Sequence, residues 1–132
     1  MAETHRFPVR IYYEDTDFSG NVYHAAYLKF LERGRTEFLR DGGIHHSELA
    51  AEGIAFAVRS MDIQFDGAAR IDDLLTVTTE VAAISGARLM LNQSILRNET
   101  VLTRASVVVV AIKTSGGPAR MPRAILERFG SG

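Results

Sequence analysis

No cysteine occurs anywhere in the 132-residue chain, which excludes a disulfide framework, a thiol nucleophile and a Cys-based metal site. Charge of one sign is not in excess either. Fifteen Lys and Arg stand against sixteen Asp and Glu, so no global field draws the chain to nucleic acid or to acidic membranes. No apolar run approaches the roughly 20 residues of a membrane span. Polar Met1–Arg6 lacks the apolar core of a signal peptide, and the expectation is a cytoplasmic protein without membrane insertion. The chain has no Gly-x-Ser-x-Gly elbow for a serine triad, no Gly-x-Gly-x-x-Gly turn and no P-loop. Nor does it carry a basic stripe interleaved with aromatics for nucleic acid.

What is present is a chain long enough for one sizeable core. Hydrophobic residues make up 46% of it and charged residues 23%, an ordinary globular balance. A single domain over 1–132 is expected. The clearest signal is Tyr12 to Arg40, an acidic turn (Glu14-Asp15-Thr16-Asp17) followed at once by an amphipathic helix. Wound at about 100° per residue, the helix puts Tyr23, Tyr27, Phe30, Leu31, Gly34 and Phe38 on one stripe. Lys29, Glu32, Arg33, Thr36, Glu37 and Arg40 lie opposite. Arg33 with Glu37 and Lys29 with Glu32 are spaced to pair, for about 0.2–0.5 kcal/mol each. Gly34 costs about 1 kcal/mol relative to Ala, which implies that the helix backbone approaches the sheet closely there.

The helix is expected from Val22 or Tyr23 to about Arg40, capped by Ser19-Gly20-Asn21 and stopped by Asp41-Gly42-Gly43. A strand over Phe7–Tyr13 precedes it, and a short helix over Ser47–Ala51, capped by Ser47, follows. Four further strands are read at Ile54–Phe65, Leu74–Ala83, Arg88–Arg97 and Val101–Lys113. In the first of these the apolar parity switches near Arg59-Ser60, the mark of a bulge or of two buried faces. Val107–Ile112 is apolar throughout, which predicts a central strand covered on both faces. Pro122–Phe129 reads as a last helical turn. The class is α+β, one long helix on an antiparallel sheet. One helix cannot cover both faces of five strands, so oligomerisation is expected to bury the rest.

Asp17 is the prime candidate for chemistry. It lies just before the orphan N–H groups of the long helix, where the donors of Tyr23 and His24 can stabilise an oxyanion. A carboxylate there can attack a carbonyl carbon or activate a water. Glu14 and Asp15 would raise its pKa if the side chains converged. An aspartate before a helix also serves as a plain turn or capping residue. His24 has three roles open to it: metal ligand, general base or orienting donor. The first is disfavoured because no second ligand stands at helical spacing. His45-His46 reads as surface or capping.

Tyr12-Tyr13-Glu14-Asp15-Thr16-Asp17, then Gly20, Val22-Tyr23-His24, Tyr27, Phe30, Glu32-Arg33 and Arg35 closely resemble the signature of hotdog-fold acyl-CoA thioesterases. The similarity is to the 4-hydroxybenzoyl-CoA thioesterase family, in its YbgC-type (Tol–Pal-associated) branch. It continues more loosely through Ala57-Val58-Arg59, Ala69-Arg70-Ile71-Asp72-Asp73 and Met121-Pro122-Arg123. The resemblance implies a hotdog fold, a five-stranded antiparallel sheet wrapped around the long helix. It also implies edge-to-edge homodimers that commonly pair again into tetramers. It maps the catalytic aspartate onto Asp17 and the oxyanion donor onto the His24 N–H. Val22, Tyr23 and Tyr27, with Val58, Arg59 and Ser60 of the partner subunit, would shape the acyl pocket. Arg88 and Arg123 fall in regions that contact the coenzyme A nucleotide. No metal or redox cofactor is implied.

The function expected is hydrolysis of an acyl-CoA, or of an acyl-acyl carrier protein, to a free acid and a thiol. Two alternatives stand beside it. A hotdog hydratase or dehydratase would consume the double bond of crotonyl-CoA without thiol release. A non-catalytic acyl-CoA binding module would bind without turnover.

Overall fold

The computed structural model describes residues 3–130; the ends of the expected 1–132 domain lie outside them. Five strands, β1 (His5–Arg10), β2 (Ile54–Phe65), β3 (Leu74–Ile84), β4 (Arg88–Arg97) and β5 (Thr100–Lys113), form one sheet. The order is β1-β3-β4-β5-β2, and every neighbouring pair is antiparallel. The long helix α1 (His24–Asp41) lies across β1, β3 and β4. Two short helices, α2 (His46–Ala51) and α3 (Arg123–Phe129), pack at the sheet's β2 and β3 strands. No described helix is long and apolar enough to cross a membrane.

Helix and sheet meet where the sequence pattern requires. Tyr27, Phe30, Leu31, Gly34 and Phe38 are buried with Ala26, Arg35 and Leu39, but Tyr23, expected on the same stripe, stands outside the helix and is exposed. Gly34 is pressed so close to β3 that a Cβ there would stand 2.5 Å from Val77 Cγ1. Burial of the Arg35 guanidinium was not foreseen. It donates to Gln93 Oε1 (3.1 Å), while Gln93 Nε2 donates to the Leu31 carbonyl (3.0 Å) and to Thr79 Oγ1 (2.9 Å). Each polar group that this contact takes out of water is thereby paired. Desolvation pushes the Arg35 pKa below its ordinary value, against the nearby Glu32 carboxylate.

Several local expectations need correction. The Phe7–Tyr13 strand ends at Arg10, and Tyr13–Asp15 closes a 3-10 turn instead. Helix α1 begins at His24 with Tyr23 as its N-cap and no side-chain cap, so Ser19-Gly20-Asn21 does not cap it. Helix α2 starts one residue early, after His45 rather than Ser47. Neither expected helix pair forms. Glu37 instead accepts from Arg40, and Lys29 reaches toward Asp15.

At its C-terminus α1 stops as expected. Gly43 takes a left-handed φ of 84°, and the Ile44 N–H returns to the Leu39 carbonyl at 2.8 Å, a glycine-dependent stop. The bulge in β2 is also found: Val58 pairs with Val109 and Ser60 with Val108, leaving Arg59 without a partner across the strands. The central place of Val107–Ile112 holds, but its double covering does not. Val107, Val109 and Ala111 are buried, whereas Val108, Val110 and Ile112 are only half-buried on the outer face.

Candidate active site

The turn between β1 and α1 carries Asp17. Thr16 bridges Val22 across it, the Asp17 N–H donates to the Asn21 carbonyl (2.9 Å) and the Gly20 N–H returns to the Asp17 carbonyl (3.1 Å). Gly20 takes a left-handed φ of 85°, which a residue with a side chain adopts only under strain. Asp15 points inward and accepts the Tyr12 N–H at 2.9 Å. Asp17 points outward and is exposed.

One carboxylate oxygen of Asp17, Oδ1, accepts from both the hydroxyl (2.5 Å) and the N–H (2.8 Å) of Ser19. Among the described residues its Oδ2 has no hydrogen-bond partner. The Ser19 hydroxyl and then the Ser19 N–H hold the Asp17 pKa below the usual carboxylate value. The condition for an upward shift is not met, because the Asp15 carboxylate turns inward to the Tyr12 N–H.

Seven residues on, α1 begins without a side-chain cap, and this matters more than the missing cap costs. The Tyr23 N–H is taken by the Asp15 carbonyl at 3.3 Å, so it is not the open donor the sequence suggested. The N–H groups of His24 and Ala25 have no acceptor among the described residues. An ionised carboxylate and the positive end of an 18-residue helix thus flank one narrow turn. That arrangement can supply both a nucleophile and an anion-stabilising pole.

The other candidates divide by place. The His24 ring is exposed and lies against Phe65 at 4.5 Å between centroids. Phe65 also meets Tyr27 edge-on, an aromatic cover on the helix start that the sequence reading missed. Val22 and Tyr27 are core residues, 5% and 2% exposed. The Tyr27 hydroxyl accepts the Ala69 N–H (2.9 Å), so in the protomer both support the turn from below. Tyr23 is on the surface. Val58, Arg59 and Ser60 are exposed on the edge strand β2 at its bulge. Five residues of strand, roughly 17 Å, separate Ser60 from Phe65, so one protomer does not join them to its own Asp17.

Arg88 and Arg123 are exposed at the opposite end of the sheet, where the Met121 N–H donates to the Gly86 carbonyl (2.9 Å). Ser85–Ala87 and Pro118–Arg120 wall a shallow cleft there. Arg123 itself leans toward Glu127 at 3.2 Å. A second cleft, of about 300 Å³, opens on the part of the concave face that α1 leaves bare. Arg35, Leu39, Phe56, Val58, Leu91 and Val109 line it, and neither Asp17 nor His24 does. His46, read as a surface or capping residue, borders this cleft with its ring edge-on to Phe56. No spacing rule in the sequence pairs those two residues.

The chain is 43% identical over 126 residues to the acyl-CoA thioester hydrolase YbgC of Escherichia coli O6:H1, covering 94% of each chain. It is 42% identical over 125 residues to the acyl-CoA thioesterase YbgC of Haemophilus influenzae, covering 93% of this chain and 92% of that one. A probable thioesterase from Bartonella henselae superposes with a TM-score of 0.88 at 48% identity, covering 91% of this chain and all of the other. The sequence model of the thioesterase-like superfamily matches residues 12–129, and the chain belongs to that superfamily.

Proposed function

We infer that this protein is an acyl-CoA thioesterase, hydrolysing the thioester to a carboxylic acid and free coenzyme A. The observation that supports the mechanism is the short turn that joins the outward-facing Asp17 to the uncapped start of α1 at His24. The thioester carbonyl oxygen sits at the helix terminus and its carbon faces Asp17 Oδ2. Attack by Oδ2 forms an acyl–aspartyl anhydride as the C–S bond breaks, and the coenzyme A thiolate takes its proton from water. Water then cleaves the anhydride, releasing the acid and restoring the carboxylate. Acting instead as a general base, Asp17 would activate the water that attacks the same carbon. The chemistry calls on no metal and no redox cofactor.

The pocket is completed by a second protomer. Asp17 lies near the Leu74 end of β3, and Arg88 and Arg123 lie near its Ile84 end. The ten steps from Leu74 to Ile84, at about 3.3 Å each, separate the two ends by roughly 33 Å. Antiparallel pairing of two β2 edges would bring the Asp17 end of one protomer to the Arg88 end of its partner. Coenzyme A phosphates then meet arginine, and the acyl chain enters the partner's cleft beside Val58, where Leu39, Phe56, Leu91 and Val109 form the apolar wall. The half-buried Val108, Val110 and Ile112 of the outer face suit a further pairing of dimers. An acyl carrier protein is the second possible donor, and the cytoplasm, where both donors occur, is the proposed location.

Asp17→Asn tests the reading. The variant keeps the shape and hydrogen bonds of the turn, and thiol release from acyl-CoA should fall by about 10³-fold or more, as for loss of a catalytic nucleophile. Turnover within tenfold of the unmodified protein would defeat the assignment. A crotonyl-CoA assay that lost enoyl absorbance without releasing thiol would point to hydration instead.

A further inference from the structure

The turn that carries Asp17 has little support of its own. Apart from bonds within the turn, the hydrogen bonds from Asp17–Val22 all end on one segment, Ala69–Ile71. The Val22 N–H donates to the Ala69 carbonyl (2.9 Å), the Ile71 N–H donates to the Gly20 carbonyl (3.1 Å), and Asn21 bridges Arg70 between them. The Ala69 N–H donates to the Tyr27 hydroxyl, just inside the start of α1. Both halves of the proposed site, the carboxylate and the helix terminus, are therefore registered against the same three residues.

That segment is not a strand of the sheet. Its far side is tied to Ile11 by the Asp72 N–H to the Ile11 carbonyl (3.2 Å) and the Ile11 N–H to the Asp73 carbonyl (2.9 Å), and a side chain adds a further restraint. Asp72 beside it holds a φ of 72°, a conformation that residues with side chains rarely adopt. Arg97, the last residue of β4, supplies the restraint from both sides. Its Nη1 donates to the Ala68 carbonyl (3.1 Å) and to Asp73 Oδ2 (2.9 Å), bracketing Ala69–Asp72. The same Asp73 oxygen accepts the Arg70 N–H at 2.9 Å. Arg97 and the Arg70 N–H thus share one Asp73 oxygen, and the residues on either side of Arg70 hold the turn through the Ala69 carbonyl and the Ile71 N–H. Burial works to raise the Asp73 pKa, but the Arg70 N–H and the Arg97 guanidinium outweigh it, so the clasp is charged at neutral pH.

We propose that Arg97 is a positioning residue for thioester cleavage, holding the Ala69–Ile71 segment on which the Asp17 turn and the start of α1 are aligned. The proposal rests on the roles given above to Asp17 and His24. It assigns Arg97 no contact with substrate, so its loss should lower kcat and leave KM nearly unchanged. Two other arginines grip nearby backbone or side chains without bracketing the segment. Arg10 donates to the Asp72 carbonyl, and Arg104 binds Asp66 alone.

The test compares Arg97→Gln, Arg97→Lys and Arg104→Gln by steady-state kinetics and amide hydrogen exchange. In Arg97→Gln, kcat should fall about tenfold with KM within twofold, since a small displacement of reacting groups is costly. Exchange at the Val22 and Ile71 amides should quicken about tenfold, with the β3–β5 core amides unchanged. Arg97→Lys should recover most of kcat, and Arg104→Gln, which removes the same charge, should keep it. An Arg97→Gln protein with kcat within twofold of normal, or a kcat loss matched by Arg104→Gln, overturns the proposal. Should Asp17→Asn retain turnover, the site assignment fails by itself, and unchanged exchange at Val22 and Ile71 would then reject the clasp independently.

Discussion

Ser19 sets the electrostatics of Asp17 by giving one oxygen two donors and leaving the other oxygen bare. A carboxylate with a depressed pKa is ionised above that value and loses its charge as pH falls through it. The acid limb of kcat/KM should therefore lie below the ordinary aspartate range. Ser19→Ala removes the largest cause of the depression, so that limb should move to higher pH while the neutral plateau changes little. A pH–rate profile of the two proteins checks this, and an unmoved limb would show that Asp17 ionisation does not govern the rate. At this scale the sequence was legible where placement follows order along the chain: a turn followed by a helix puts Asp17 before the start of α1 and His24 at that start, whatever lies elsewhere. The Ser19 contact was legible in principle, since an Asp two residues before a Ser forms such a turn readily. The inward rotation of Asp15 was not, because it depends on Tyr12 and on packing beneath the turn.

Between elements, the contact that fixes α1 on the sheet is Gly34 against Val77. Alanine at Gly34 gains about 1 kcal/mol of helix propensity, but its methyl group would overlap Val77. Overpacking of this kind costs about 1–3 kcal/mol. Gly34→Ala should thus lower stability by about 1 kcal/mol net, read as a lower urea midpoint at unchanged slope. Val77→Ala vacates the contested space, so the double variant should be less unstable than the sum of the singles. Additive losses would mean that the methyl group is accommodated elsewhere. The close approach was readable from one glycine on an apolar stripe, and the β2 bulge from a change of parity at Arg59. Arg35 misled, because a guanidinium on the flank of a helix ordinarily reaches water. Its burial depends on Gln93, which lies 58 residues away on strand β4. The end of β1 was misjudged for a related reason: Tyr12 and Tyr13 favour strand, yet the chain must turn at Tyr13 to bring the Asp15 carbonyl to the N–H of Tyr23.

For the whole molecule, the decisive matter is that Asp17 and the apolar cleft do not adjoin within one protomer. The proposed two-fold pairing through β2 would turn that separation into a shared site, Asp17 from one chain and the cleft beside Val58 from the other. The prediction can be tested with two variants, each inactive by itself. Asp17→Asn removes the nucleophile, and Val58→Trp fills the cleft without touching Asp17. If the two chains are mixed in urea and refolded together, half of the dimers should be mixed. Each mixed dimer then has one site bearing both lesions and one bearing neither. Thiol release should recover to about a quarter of the normal value under random two-fold assembly, although neither parent has measurable activity. A site built within one chain gives no recovery at all, since every protomer in the mixture would still carry a lesion in its own site.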